Sequence, residues 1–158
     1  MKFPELDCPS PNHARAPGHE QLGVCFHHSG LATAEALARL TDPASQVSYH
    51  VLIAPDGTRY RLVDETRIAW HAGVSSWRGR SGCNCFLLGV AFAGDTYVAP
   101  LTDAQQASAL EWLAARWRRR AWTIDWMTDH RQVAPGRKDD LNPTAWDHWR
   151  AVMVAAFP

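Results

Sequence analysis

The chain has 158 residues, the size of one ordinary domain and enough to bury a core without staples. Its 16 basic and 16 acidic residues cancel, so no net field would hold it on nucleic acid or an anionic membrane. No segment approaches the length of a membrane span, and the opening "MKFPELDCPSPNHARAPGHE" lacks an apolar stretch of signal-peptide length, so the expectation is a protein that is cytoplasmic as synthesised.

In chain order, residues 1–20, rich in Pro, His and Gly, read as an extended arm lying on a single domain that spans 1–158. "LGVCFHH" (22–28) is an apolar run suited to a central buried strand, and "TAEALARL" (33–40) reads as a short helix. "VSYHVLI" (47–53) and "TRYRLV" (58–63) flank the turn signal "APDG", which predicts a β-hairpin. "FLLGVAFAG" (86–94) is a second apolar strand ended by glycine. A helix is predicted from "LTDAQQASALEWLAARWRRR", with Thr102 and Gln105 as a capping box and an apolar stripe of Ala107, Leu110, Leu113, Ala114 and Trp117. The run Arg116, Arg118, Arg119 and Arg120 would complement its dipole. The last helix starts at Asn142-Pro143, a cap followed by proline at the first helical position, and should bury Trp146, Trp149, Met153 and Phe157. The fold class expected is α/β: one domain with a central mixed sheet flanked by helices.

Of the 8 tryptophans, Trp112, Trp117, Trp146 and Trp149 read as helix-packing residues, whereas Trp70 and Trp77 flank "HAGVSS" and are less easily assigned to packing. The four cysteines, Cys8, Cys25, Cys83 and Cys85, match no ordinary zinc pattern and are expected to be reduced thiols.

One loop, "TDHRQVAPGRKDDLNP" (128–143), carries His130, Lys138, Asp139 and Asp140: a potential metal ligand, a carboxylate ten positions on, and a cation between them. A third ligand is available in "CFHHSG" (25–30), because a histidine at the C-terminal end of a buried strand projects into the cleft where α/β proteins bind ligands. His27 and His28 are adjacent and point to opposite faces, so one of them can join. Two histidines and one carboxylate form a zinc sphere with a fourth position open for water, the arrangement of a hydrolytic rather than a structural site. No H-E-x-x-H helix is present.

Taken together, "SPNH", "CFHHSG", "VSYHVLIAPDGTRYRLV", "AWHAGVSSWRGRSGCN", "LLGVAFAGD", "LTDAQ" and "DHRQVAPGRKDDLNP" resemble, in order and over nearly the whole chain, the zinc-dependent N-acetylmuramoyl-L-alanine amidases. That family includes phage amidase-lysozymes, animal peptidoglycan recognition proteins and bacterial wall-recycling amidases. The resemblance implies one Zn²⁺ per chain in a cleft at the strand ends, with His27, His130 and Asp140 as ligands and His28 left to packing or to supporting the ligands from behind. It implies that Lys138 is the catalytic lysine and that Tyr49 stands beside the metal. The implied reaction is hydrolysis of the amide between the lactyl group of N-acetylmuramic acid and L-alanine of the stem peptide. The implied partners are peptidoglycan or muropeptide fragments, with no nucleic acid or membrane and with the chain a monomer. His71, Arg80 and Asn84 lie in a Gly- and Ser-rich loop expected to border the cleft, either contacting substrate, with Arg80 pairing a stem carboxylate, or holding the loop.

Two departures stand out. Recycling-type relatives carry a glutamate where this chain has Ala91, so a carboxylate base is missing there, and Leu141 replaces a proline that often follows the third ligand. The alternatives to an amidase are a non-catalytic peptidoglycan-binding module and a zinc peptidase of other specificity. The setting could be cytoplasmic recycling, phage lysis or export to the wall.

Overall fold

In the computed structural model, which describes residues 2–158, the two apolar runs become neighbouring strands at the centre of one sheet. In chain order the strands are β1 (Glu5–Asp7), β2 (His13–Pro17), β3 (Gly23–His28), β4 (Val51–Ile53), β5 (Arg59–Arg61), β6 (Arg67–Ala69), β7 (Ser76–Trp77), β8 (Arg80–Ser81), β9 (Leu87–Phe92) and β10 (Met127–Asp129). The helices are α1 (Thr33–Thr41), α2 (Asp103–Trp117), the short α3 (His130–Val133) and α4 (Pro143–Ala156).

Six strands form the main sheet in the order β1-β5-β4-β9-β3-β10. It is mixed: β4 and β5 pair antiparallel as the expected hairpin, while β9 runs parallel to β4 and β3, and β10 parallel to β3. Strands buried on both faces must be apolar throughout. Accordingly Val24, Phe26, Leu88, Val90 and Phe92 are all shut off from water. One face packs against α2 and α4, where Trp112, Leu113, Trp146, Trp149 and Met153 meet Phe26 and Phe92. The other face packs against α1 through Ala36, Leu40, Leu52 and Ala91. Trp149 sits edge-on to both Phe26 and Phe92, and truncating so large a buried ring costs about 3–5 kcal/mol.

The caps form as the sequence indicates. Thr102 and Gln105 make a reciprocal capping box, and Asn142 caps α4 with Pro143 at its first position. The buried face of α2 differs from the expected stripe. Gln105, Ser108, Ala109, Trp112 and Leu113 face inward, Ala107, Leu110 and Trp117 lie at the margin, and Ala114 is exposed. The helix is rotated because its polar residues have backbone partners: Gln105 donates to the carbonyls of Ile53 and Ala93 at 3.2 and 2.9 Å, and Ser108 to that of Gly57 at 2.6 Å. Phe157 is half-buried, stacked on Trp117 at 4.2 Å.

The N-terminal residues do more than lie on the domain. β1 adds an edge strand parallel to β5, and β2 pairs antiparallel with β6. Of the basic run, Arg116 and Arg120 bind Glu65, at 2.6 and 2.7 Å. All four cysteines are free thiols. No helix among the described residues is long and apolar enough to cross a membrane.

Candidate metal centre

The parallel pairing of β10 with β3 creates the site. Asp129 is in register with Phe26, so the residues that follow, His130 at the start of α3 and His27 on β3, emerge side by side at the C-terminal edge of the sheet. His27 is 0% exposed, and His28, on the other face, binds Thr96 Oγ1 at 2.7 Å. Asp140 is carried back to the same edge by the 134–142 loop, whose end is fixed by Arg131 N donating to Asp140 O at 2.7 Å. Its carboxylate is nearly buried, at 7% residue exposure.

His27 Nδ1 lies 3.1 Å from His130 Nδ1 and 3.4 Å from Asp140 Oδ2, and His130 Nδ1 lies 3.2 Å from Asp140 Oδ1. Zinc bonds of ~2.0–2.1 Å at tetrahedral angles set ligand atoms about 3.3 Å apart, so the triangle has the right size. The protons also fit. A carbonyl only accepts, so His71 Nε2, 2.9 Å from Leu87 O, carries the ring proton and leaves His71 Nδ1 bare. His27 Nε2, 2.9 Å from that bare nitrogen, must donate, which strips His27 Nδ1. His130 Nε2 faces Ala72 O at 3.3 Å, which strips His130 Nδ1 in the same way. Two lone pairs and a carboxylate therefore converge with no hydrogen between them, a set that is stable around a cation and repulsive without one.

A second trio, Cys25, His27 and His71, also brings its possible ligand atoms within 4.8 Å of one another. There the facing histidine nitrogens already share a proton, and burial pushes the Cys25 thiol pKa well up. The first trio is the better metal site. Burial also pushes His27 down to about 4 and His71 well below the ordinary value, keeping both rings neutral.

His27 completes the trio from within the protein, shut off from water, while His130 and Asp140 line a cleft of about 440 Å³. Tyr49, Trp70, Lys138, Arg137 and Arg39 line its walls. Tyr49 precedes β4 rather than lying within it, but its neighbour His50 is tied to β9 by a 2.8 Å bond from its N–H to Gly89 O. The Tyr49 ring centroid is 4.9 Å from that of His27, and burial raises its phenol pKa, so it stays protonated. Lys138 is exposed at the rim, and its ammonium has no partner among the described residues. Ala91 sits at 0% exposure in register with His27 and Leu52, and no carboxylate takes its place there.

The structure separates the three loop residues singled out in the sequence. Asn84 lines the cleft, and its Oδ1 accepts from the N–H groups of His71 and Ala72 at 3.1 and 2.8 Å. His71 turns inward to His27 with both ring nitrogens engaged. Arg80 lies outside the cleft, where it pairs with Glu20 at 2.6 Å and stacks on Phe86. The cleft cations that sequence reasoning missed are Arg137 and Arg39. Arg137 donates to the carbonyls of Ala72 and Val74 and so ties two cleft loops together. Its position beside Lys138 was the available signal, whereas Arg39, in the last turn of α1, gave none.

A family model described as N-acetylmuramoyl-L-alanine amidase matches residues 17–143. Among curated proteins, the 1,6-anhydro-N-acetylmuramyl-L-alanine amidase AmpD of Citrobacter freundii is 38% identical over 110 residues, which cover 69% of this chain and 58% of the relative. The chain thus spans little more than half the length of that curated relative. Among solved structures, a selenomethionine AmpD derivative superposes with a TM-score of 0.79 at 30% identity, covering 96% of this chain and 95% of the other. AmiD from E. coli, in complex with the substrate anhydro-N-acetylmuramic acid-L-Ala-D-gamma-Glu-L-Lys, superposes at 0.74 with 25% identity, covering 89% of this chain and 60% of that one.

Proposed function

The chain belongs to the N-acetylmuramoyl-L-alanine amidase family, and on that premise we propose that it hydrolyses the amide between the lactyl group of N-acetylmuramic acid and L-alanine of the stem peptide. The observation that carries this reading is the hydrogen-free triangle of His27 Nδ1, His130 Nδ1 and the Asp140 carboxylate, two members of which line the cleft. These three residues would hold one zinc ion per chain. When bound, zinc supplies a Lewis acid that polarises a carbonyl and acidifies water.

An amide is a poor electrophile with a poor leaving group, so hydrolysis also needs charge stabilisation and proton delivery. The unpartnered Lys138 ammonium suits the negative charge that develops on the carbonyl oxygen. Tyr49, protonated and beside His27, serves as a donor to that oxygen or to the water rather than as a base. His71 has no free nitrogen and supplies no base. The cations on the cleft walls suit a peptide bearing carboxylates.

The AmpD relative is named for a 1,6-anhydro-muramyl substrate and AmiD binds an anhydro-N-acetylmuramic acid peptide, and we extend that substrate class to this chain, preferring a small muropeptide to intact wall. Such a substrate agrees with work in the cytoplasm. The binding-module alternative is disfavoured because all three candidate ligands are present and grouped, and His130, Asp140, Tyr49 and Lys138 line one cleft. The test is digestion of isolated anhydromuropeptide and of intact wall, read by mass spectrometry. Free stem peptides beginning with L-alanine and an unbroken glycan are expected. New reducing sugar ends without peptide release would contradict the reading.

A further inference from the structure

We propose that His71 is the positioning residue for His27: it takes the Nε2–H of His27 from behind and so turns the Nδ1 lone pair of His27 toward the cleft. The proposal rests on the metal reading above.

The orientation starts from the backbone. Leu87 belongs to β9, and its carbonyl accepts from His71 Nε2 at 2.9 Å and from His19 Nε2 at 3.0 Å, which fills both of its lone pairs. The tautomer of His19 is fixed independently, because its Nδ1 accepts Gln21 N–H at 3.0 Å. His71 is thus left with one function, that of a bare Nδ1 aimed at His27. The rings stand edge to face, centroids 5.1 Å apart and planes at 90°, so the His27 N–H enters the His71 lone pair while its other nitrogen faces away. Without an acceptor on this side, His27 could place its proton on Nδ1 and present an N–H to the cleft, where a metal needs a lone pair.

The surroundings are built for that ring. The main chain at His71 and Ala72 is held by Asn84 Oδ1. The ring occupies space that exists because residue 89 is glycine: a Cβ there would lie 2.6 Å from the ring. At 4% exposure and with both nitrogens engaged, His71 has no ring nitrogen left to hydrogen-bond a substrate.

Zinc affinity is measured by chelator competition for wild type, His71→Phe, His71→Asn and His27→Ala, and nitrogen NMR is recorded on zinc-loaded wild type. His71→Phe keeps the ring volume without the acceptor and should weaken zinc binding by roughly 10–100-fold, the usual loss when a ligand's outer partner is removed. His71→Asn retains an acceptor and should fall between. In wild type, a through-hydrogen-bond coupling is expected between His27 Nε2 and His71 Nδ1, with the His71 proton on Nε2. A His71 proton on Nδ1, or wild-type zinc affinity in His71→Phe while His27→Ala loses the metal, overturns the proposal. Wild-type affinity in His27→Ala overturns the metal reading itself. If His71→Phe does not fold, the wild-type coupling and the His71→Asn affinity decide the matter.

Discussion

The buried Asp129 carboxylate joins the two ends of the metal loop: Oδ2 accepts Leu141 N–H at 3.2 Å while Oδ1 caps α3 through Gln132 N–H at 3.0 Å. His130 follows Asp129 directly and Asp140 directly precedes Leu141, so their spacing depends on a residue that is not itself one of the three candidate ligands. Replacing Asp129 by alanine orphans both donors, each at a cost of about 1–3 kcal/mol. We expect Asp129→Ala to unfold at lower denaturant and to bind zinc more weakly. Denaturation of the metal-free protein with a zinc titration checks both, and unchanged affinity would separate loop closure from ligand placement.

Tyr49 and Lys138 should carry the non-metal part of catalysis, since Ala91 cannot transfer a proton. Tyr49→Phe and Lys138→Ala are each expected to lower turnover by on the order of 10²-fold with zinc content unchanged. Near-normal turnover in Tyr49→Phe with zinc bound would remove the phenol from the mechanism.

Acid should destabilise the metal-free protein through its buried histidines. His50 accepts Gly89 N–H on Nδ1 and faces Arg67 O with Nε2, and burial lowers its pKa to about 4. His19 is lowered for the same first reason. Between about pH 6.5 and 4 the unfolded chain binds a proton that the folded His50 refuses, so stability is complete above that window and falls as pH drops through it. The full shift corresponds to about 3 kcal/mol. Unfolding free energies at pH 7 and pH 4.5 should differ less in His50→Gln than in wild type; equal slopes would show that other groups carry the effect.

The two arginines should behave oppositely. Arg80 is half-exposed, bound to Glu20 and outside the cleft, and an exposed pair contributes only about 0–1 kcal/mol. Arg80→Ala should leave kcat/KM close to wild type. Arg137 lines the cleft and ties the Ala72 and Val74 carbonyls, so Arg137→Ala should lower kcat/KM, chiefly through KM. A large KM rise in Arg80→Ala would return that residue to the substrate.

What the sequence made legible was local. The apolar runs around Phe26 and Val90, the Thr102–Gln105 box and the Asn142-Pro143 start all depend on near neighbours, and all formed. The inward face of α2 did not show because Gln105 and Ser108 are buried by carbonyls at residues 53, 93 and 57, which only the fold brings near. The histidine and acidic loop pointed to a metal, yet the inward turn of His71 depends on Leu87 O and on the space at Gly89, neither visible in the spacing of "WHAG". Arg80 and Arg137 look alike as letters, and their difference comes from Glu20 and the Ala72 carbonyl.

X-ray absorption at the zinc edge of the loaded protein tests the central assignment most directly, because the two candidate trios differ in sulfur. Two imidazoles and oxygen donors at about 2.0–2.1 Å, from His27, His130 and Asp140, are expected, with no sulfur. A sulfur scatterer at about 2.3 Å would place the metal between Cys25, His27 and His71 and contradict the assignment.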